Sequence, residues 1–147
     1  MRNIYLIGFM GAGKSAVVRQ LCSGFGMEPV EMDAMIEQQE GRPISEIFRT
    51  DGESRFRELE TDLLRNLSGT QNRAVSCGGG AVLREENIAL MKQGGTVIFL
   101  TASPQTIYDR VKDSHNRPLL EGNMNVPFIA SLLEKRMPMY LAAADRQ

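Results

Sequence analysis

Gly8-Phe9-Met10-Gly11-Ala12-Gly13-Lys14-Ser15 is the stretch whose reading decides the fold. An unbroken apolar run, residues 4–7, precedes it, and Val17, Val18, Leu21 and Phe25 follow at helical spacing. A strand, a glycine-rich loop and a helix in that order satisfy G-x-x-x-x-G-K-[ST], the pattern of a phosphate-binding loop. Its glycines let successive backbone N–H groups turn inward around a nucleotide phosphate, and the helix N-terminus behind them adds a favourable dipole. Lys14 is positioned to reach the β- and γ-phosphates, and the Ser15 hydroxyl to ligate Mg²⁺. The chain is therefore expected to bind a nucleoside triphosphate. Gly11, Ala12, Gly13, Lys14, Ser15 and Ala16 are the expected contacts.

Outward from the loop, strand-like and helix-like segments alternate. Short apolar runs at residues 3–8, 29–32, 74–77 and 96–101 read as strands of a parallel sheet covered on both faces. Helices are expected over residues 15–25, over 34–40 with Gly41 as C-cap, and along Phe56, Leu59, Leu63, Leu64 and Leu67. Further helices are expected over 85–93, from Ser103-Pro104 through Val111, and over 126–136, where Pro138 ends or kinks the last. This is an α/β pattern built by right-handed crossovers. Residues 112–125 are polar, with Leu119 and Leu120 as the apolar anchors, and read as a lid.

The 147 residues fit one domain, and 42% hydrophobic with 24% charged residues is a soluble globular composition. A formal net charge of −1 gives no general attraction for nucleic acid or acidic membranes. No apolar run is long enough to span a bilayer and no secretory signal opens the chain. Cys22 and Cys77 lack metal-type spacing and read as buried thiols of a reducing compartment, so a cytoplasmic location is expected.

The ordered set of GFMGAGKS, Glu31-Met32-Asp33, Phe56-Arg57-Glu58-Leu59-Glu60, Gly78-Gly79-Gly80, Arg117-Pro118-Leu119-Leu120 and Arg136-Met137-Pro138-Met139-Tyr140 resembles the shikimate kinases. These are small members of the nucleoside-monophosphate-kinase-like branch of P-loop proteins. The resemblance covers essentially the whole chain. It implies a three-layer fold with a central parallel sheet of order 2-3-1-4 and a mobile lid. It implies transfer of the ATP γ-phosphate to the 3-hydroxyl of shikimate, with Mg²⁺ as cofactor, ATP and shikimate as ligands and a monomer as the expected state. Asp33 is implied to bind the shikimate hydroxyls and to accept the proton of the attacking one. Gly79 N–H is implied to meet the carboxylate.

The chemistry is consistent with those assignments. An acid with several hydroxyls needs forked cations at one end and acceptors at the other, and Arg57 and Arg136 would supply planar forks from separate helices. Arg117, swinging in with the lid, would contact ATP and offset the charge that spreads over the transferred group. His115 reads as an exposed lid residue. The chain departs from the family pattern at three places. Ala16 replaces a second hydroxyl next to the α-phosphate. Glu31 stands where the family usually has Asp, which leaves a water-mediated metal contact as its expected role. The sequence stops at Gln147, before the fifth strand and closing helix of relatives. The sheet edge beside residues 96–101 is therefore expected to be exposed or covered by another chain. Two other readings carry the same phosphate loop: a gluconate or nucleoside-monophosphate kinase, and a nucleotide-binding module with little turnover.

Overall fold

The computed structural model describes residues 2–9, 13–111 and 125–145. Four parallel strands, β1 (Asn3–Ile7), β2 (Glu28–Glu31), β3 (Arg73–Ser76) and β4 (Gly95–Phe99), form one sheet in the order β2-β3-β1-β4. This is the order the resemblance implied. Tyr5 of β1 stands opposite Val75 on one side and Val97 on the other. Because β1 is flanked by β3 and β4, the crossovers leave it in opposite directions, and a crevice opens beyond its carboxyl end.

The two-residue period of β1 sorts its side chains into two cores. Tyr5 and Ile7 join Leu59, Leu63, Leu64, Met91 and Tyr140 on one face, while Leu6 packs with Val18 and Met27 on the other. The first face is covered by α3 (Ile44–Leu67), α4 (Glu85–Gly94) and α6 (Val126–Ala143), and the second by α1 (Lys14–Phe25). Two further helices, α2 (Met32–Glu40) and α5 (Pro104–Val111), stand at the carboxyl-end side of their strands. Gly41 ends α2 in the left-handed conformation, and the Ser103 Oγ accepts from Thr106 N at 3.1 Å, as the N-cap reading required. Phe25, grouped with the inward residues of α1 on spacing alone, is 66% exposed at the last position of the helix.

Two helices differ from the expectation. The structure starts α3 at Ile44, twelve residues before Phe56, and interrupts it at Gly52 (φ 86, ψ 165). Phe48 and Phe56 meet across that break with ring centroids 5.0 Å apart. The last helix does not end at Pro138 but runs through it to Ala143. Pro138 is exposed, so the carbonyl left without a donor one turn earlier faces water, while burial of Tyr140 and Ala143 holds the final turn. Beyond it, Asp145 meets the outer edge of β4. Its N–H donates to Val97 O at 2.8 Å, and its Oδ2 accepts from Val97 N at 2.9 Å. At that position the chain's own Asp145 occupies the edge. No helix among the described residues is long and apolar enough to cross a membrane.

Behind the carboxyl end of β3, a short 3₁₀ turn (Ala81–Leu83) is held by buried Asn87. Asn87 Nδ2 donates to Ala81 O at 2.8 Å, and its Oδ1 accepts from Thr61 Oγ1 at 2.6 Å. Replacing Asn87 with Ala leaves a buried carbonyl unpartnered and a small void. Unfolding in urea should show a loss of about 2–3 kcal/mol; a loss below about 0.5 kcal/mol would mean the turn is held by other contacts.

Candidate active site

A cavity of about 620 Å³ lies at the carboxyl ends of the first three strands. Gly13, Lys14, Ser15 and Ala16 line one end, and Asp33, Arg57, Glu60 and Gly78–Gly80 line the other. Ile44, Phe48 and Phe56 add an apolar wall from α3. The lining is rich in charged and hydroxyl side chains, the make-up of a site for a charged, hydrogen-bonding ligand.

At the phosphate-loop end, Gly13 is left-handed (φ 100) where the chain turns into α1. Lys14 is buried, and its ammonium donates to the Gly8 carbonyl at 2.6 Å. Ser15 Oγ donates to Glu31 Oε2 at 3.2 Å, which joins the two residues the sequence pointed to for metal binding. A hydroxyl with one carboxylate suits Mg²⁺, which keeps several waters and takes its remaining ligands from substrate phosphates. Among the described residues no group of three or more His, Cys, Asp or Glu side chains could hold a metal. Arg110 of α5 lines the same end, and a Cβ on Gly13 would stand 3.3 Å from its Nη1. Gly11, Ala12, His115 and Arg117, with the expected lid apart from Asn125, lie outside the described residues.

At the other end, three groups crowd the glycine corner that follows β3. Arg57 is buried and donates from Nη1 to Glu60 Oε1 at 2.8 Å, while Nε and Nη2 reach Glu53 Oε2 at 3.4 and 3.3 Å. A Cβ on Gly80 would fall 2.5 Å from both terminal nitrogens of Arg57. A Cβ on Gly78 would fall 2.6 Å from Glu60 Oε2 and 3.1 Å from Asp33 Oδ1. The glycines are thus what lets a guanidinium and two carboxylates close on one turn. Asp33 reaches this point from the first turn of α2, having left strand geometry just after Glu31.

Arg136 is also buried, but it does not line the cavity. Its guanidinium carbon is 5.7 Å from the centre of the Phe9 ring, and its Nη1 is buried without a hydrogen-bond partner among the described residues. It lies beside the hydroxyl of Tyr140, which donates to Gly79 O at 2.5 Å. Of the two arginines proposed from sequence, one borders the cavity and the other connects to it through Tyr140.

Burial raises the Glu60 carboxyl above the usual carboxylate range; Arg57 draws it back down and Asp33 adds to the rise. Cys77 also lines the cavity, yet burial pushes its thiol up to about 12, so it stays protonated and unreactive near neutrality. Glu60, Arg110 and Tyr140 received no role from sequence. Glu60 lies three residues after Arg57 and Tyr140 four after Arg136, the spacings of one helical face. Nothing in the sequence marks Arg110.

Glu60 generates a pH dependence of stability. With its folded pKa raised, it binds more protons folded than unfolded between the two values. Its stabilising contribution is present below the ordinary carboxyl pKa and is lost as pH rises through the raised one. Glu60→Gln does not titrate. Urea midpoints from pH ~4 to ~8 should therefore shift in favour of the variant relative to the parent as pH rises. A constant gap would contradict the raised carboxyl.

Comparison with known proteins adds to this geometry. Residues 10–147 match the model of the family described as "Shikimate kinase". A shikimate kinase of Pelotomaculum thermopropionicum is 46% identical over 146 residues, covering 99% of this chain and 85% of that protein. One of Persephonella marina is 45% identical, over 99% of this chain and 88% of its own length. Among solved structures, the shikimate kinase of Acinetobacter baumannii in complex with shikimate superposes with a TM-score of 0.95 at 36% identity, covering 99% of this chain and 82% of that one.

Proposed function

Because the chain belongs to the shikimate kinase family, we propose that its cavity holds Mg·ATP at the phosphate-loop end and shikimate at the glycine corner. The activity is ATP-dependent phosphotransfer to the 3-hydroxyl of shikimate, giving 3-phosphoshikimate and ADP for aromatic amino-acid synthesis. The observation that carries the residue assignment is that Asp33, Arg57 and Gly79 border the same cavity as Lys14 and Ser15.

In this reading Arg57 and the Gly79 N–H grip the carboxylate, with Arg136 supporting them from α6. Asp33 accepts a hydrogen bond from the 3-hydroxyl and orients its oxygen toward the γ-phosphorus. A new O–P bond forms there as the bond from phosphorus to the β–γ bridging oxygen breaks. The leaving ADP takes that electron pair, and the hydroxyl proton passes to Asp33. Lys14 turns from the Gly8 carbonyl to the phosphates. Gly11, Ala12, Gly13 and Ala16 contribute backbone donors, and Arg110 adds a cation beside them. Ser15 would hold Mg²⁺ directly and Glu31 through water; the ion supplies neutralisation of the phosphate charge. Arg117 keeps its proposed place on the transferred group. The chain is proposed to act as a monomer in the cytoplasm.

A coupled ADP-release assay tests the assignment. Shikimate should support turnover while gluconate and nucleoside monophosphates do not; the reverse pattern would overturn it. Asp33→Asn should lower kcat by about 10²- to 10⁴-fold with the ATP KM little changed. A kcat within about threefold of the parent would remove Asp33 from the proton path.

A further inference from the structure

Three glycines in succession have no side chains to favour one peptide orientation over another. A turn such as Gly78-Gly79-Gly80 can present to the cavity either an N–H, which attracts an anion, or a carbonyl oxygen, which repels it. The Gly78 and Gly80 carbonyls already accept from Ala81 N at 3.0 Å and Leu83 N at 3.1 Å, so the orientation left to be selected is that of the Gly79–Gly80 peptide. Among the described residues one side chain is placed to select it. The Tyr140 hydroxyl, from the last turns of α6, donates to the Gly79 carbonyl at 2.5 Å. A carbonyl can only accept, so the single phenolic proton is committed to that bond.

The consequence follows from peptide planarity. In a trans peptide the C=O of one residue and the N–H of the next point in opposite directions. Tyr140 is not in the cavity wall, whereas all three glycines are. Holding the Gly79 carbonyl toward Tyr140 therefore turns the N–H of Gly80 to the opposite side. Neither Gly79 N–H nor Gly80 N–H has a backbone acceptor among the described residues. The phenol is itself fixed, because Tyr140 is fully buried and its ring stacks on Phe99 with centroids 5.0 Å apart at 21°. The guanidinium of Arg136 lies beside the same hydroxyl, and its Nη1 is buried without a hydrogen-bond partner among the described residues. One hydroxyl thus links the glycine corner and Arg136, two of the three elements that the proposed function assigns to the carboxylate.

We propose that Tyr140 is the positioning residue of the acid-binding corner, holding the Gly79–Gly80 peptide with its carbonyl turned from the substrate carboxylate and registering Arg136 against the same turn. This role rests on the reading of the site as a shikimate site. Tyr140 does not line the cavity, so it acts through Gly79 and Arg136.

The test is Tyr140→Phe, which keeps the ring on Phe99 and removes the donor. The shikimate KM should rise about 5- to 10-fold, the loss expected for one hydrogen bond. The ATP KM and kcat should stay near the parent values, with the thermal midpoint within about 3 °C. The penalty should be smaller with shikimate methyl ester as acceptor, because an uncharged group is repelled less by a flipped carbonyl. An unchanged shikimate KM would overturn the role, as would an equal penalty on acid and ester. A rise in both KM values with a fall of more than about 10 °C in the midpoint, or a variant that does not fold, would show Tyr140 to be structural and overturn it too. A parent enzyme that fails to phosphorylate shikimate removes the underlying reading and this role together; a normal parent beside an unaffected variant removes this role alone.

Discussion

The buried ion pair of Arg57 and Glu60, seated in the space that Gly78 and Gly80 leave open, is the constraint on which the acid-binding half of the site depends. Taking two charges out of water costs several kcal/mol per ion, and their attraction repays it only with good geometry and further hydrogen bonds. The 2.8 Å bond between them, the Glu53 carboxylate on the other edge of the guanidinium and the Phe56 ring 5.4 Å from its carbon supply part of that repayment. Glu60 Oε2 nevertheless has no hydrogen-bond partner among the described residues, and its carboxyl is pushed up by burial. An apolar pair would be easier to bury. A cation held rigidly at the cavity wall is what the apolar pair could not offer.

The fold brings this pair to the phosphates with little extra machinery. β1 and β3 are hydrogen-bonded neighbours, so their carboxyl ends are about 5 Å apart. The phosphate loop follows the first and the glycine corner follows the second. Asp33 arrives from β2 on the far side of β3, and its carboxylate stands against Gly78. Donor and acceptor subsites are thus set by strand adjacency, while α3 supplies Arg57, Glu60 and the apolar wall. Asn87 and Thr61 tie the turn after the corner to that same helix, so the glycines and the ion pair they admit are held as one unit.

Much of this could be read from sequence because it is local. The phosphate loop, the strand at each carboxyl end, the Gly41 cap and the Ser103 cap each depend on residues within a few positions of one another. The first half of α3 could not be read so, because Gly52 interrupts its period. Pro138 signalled a helix end, yet tertiary burial of Tyr140 and Ala143 carries the helix past it. The site shows the same division. Asp33, Arg57 and Gly79 stand in recognisable stretches and meet at one cavity. Glu60, Tyr140 and Arg110 gain meaning only through partners on other elements, as with Tyr140 and Gly79, 61 positions apart. Arg136, proposed as a direct grip, stands outside the cavity wall, a distinction that spacing along one helix cannot carry.

The most direct measurement is a crystal structure of the Gly80→Ala variant grown with shikimate and ADP, beside the parent. Gly80 has φ −101, a backbone that any residue adopts, so the substitution acts only through its Cβ. That carbon would stand 2.5 Å from the Arg57 guanidinium nitrogens. The guanidinium should be displaced, its contact to Glu60 broken and no ordered acid found at the glycine corner, with ADP still in place on the phosphate loop. An unmoved Arg57 with shikimate bound as in the parent would contradict this.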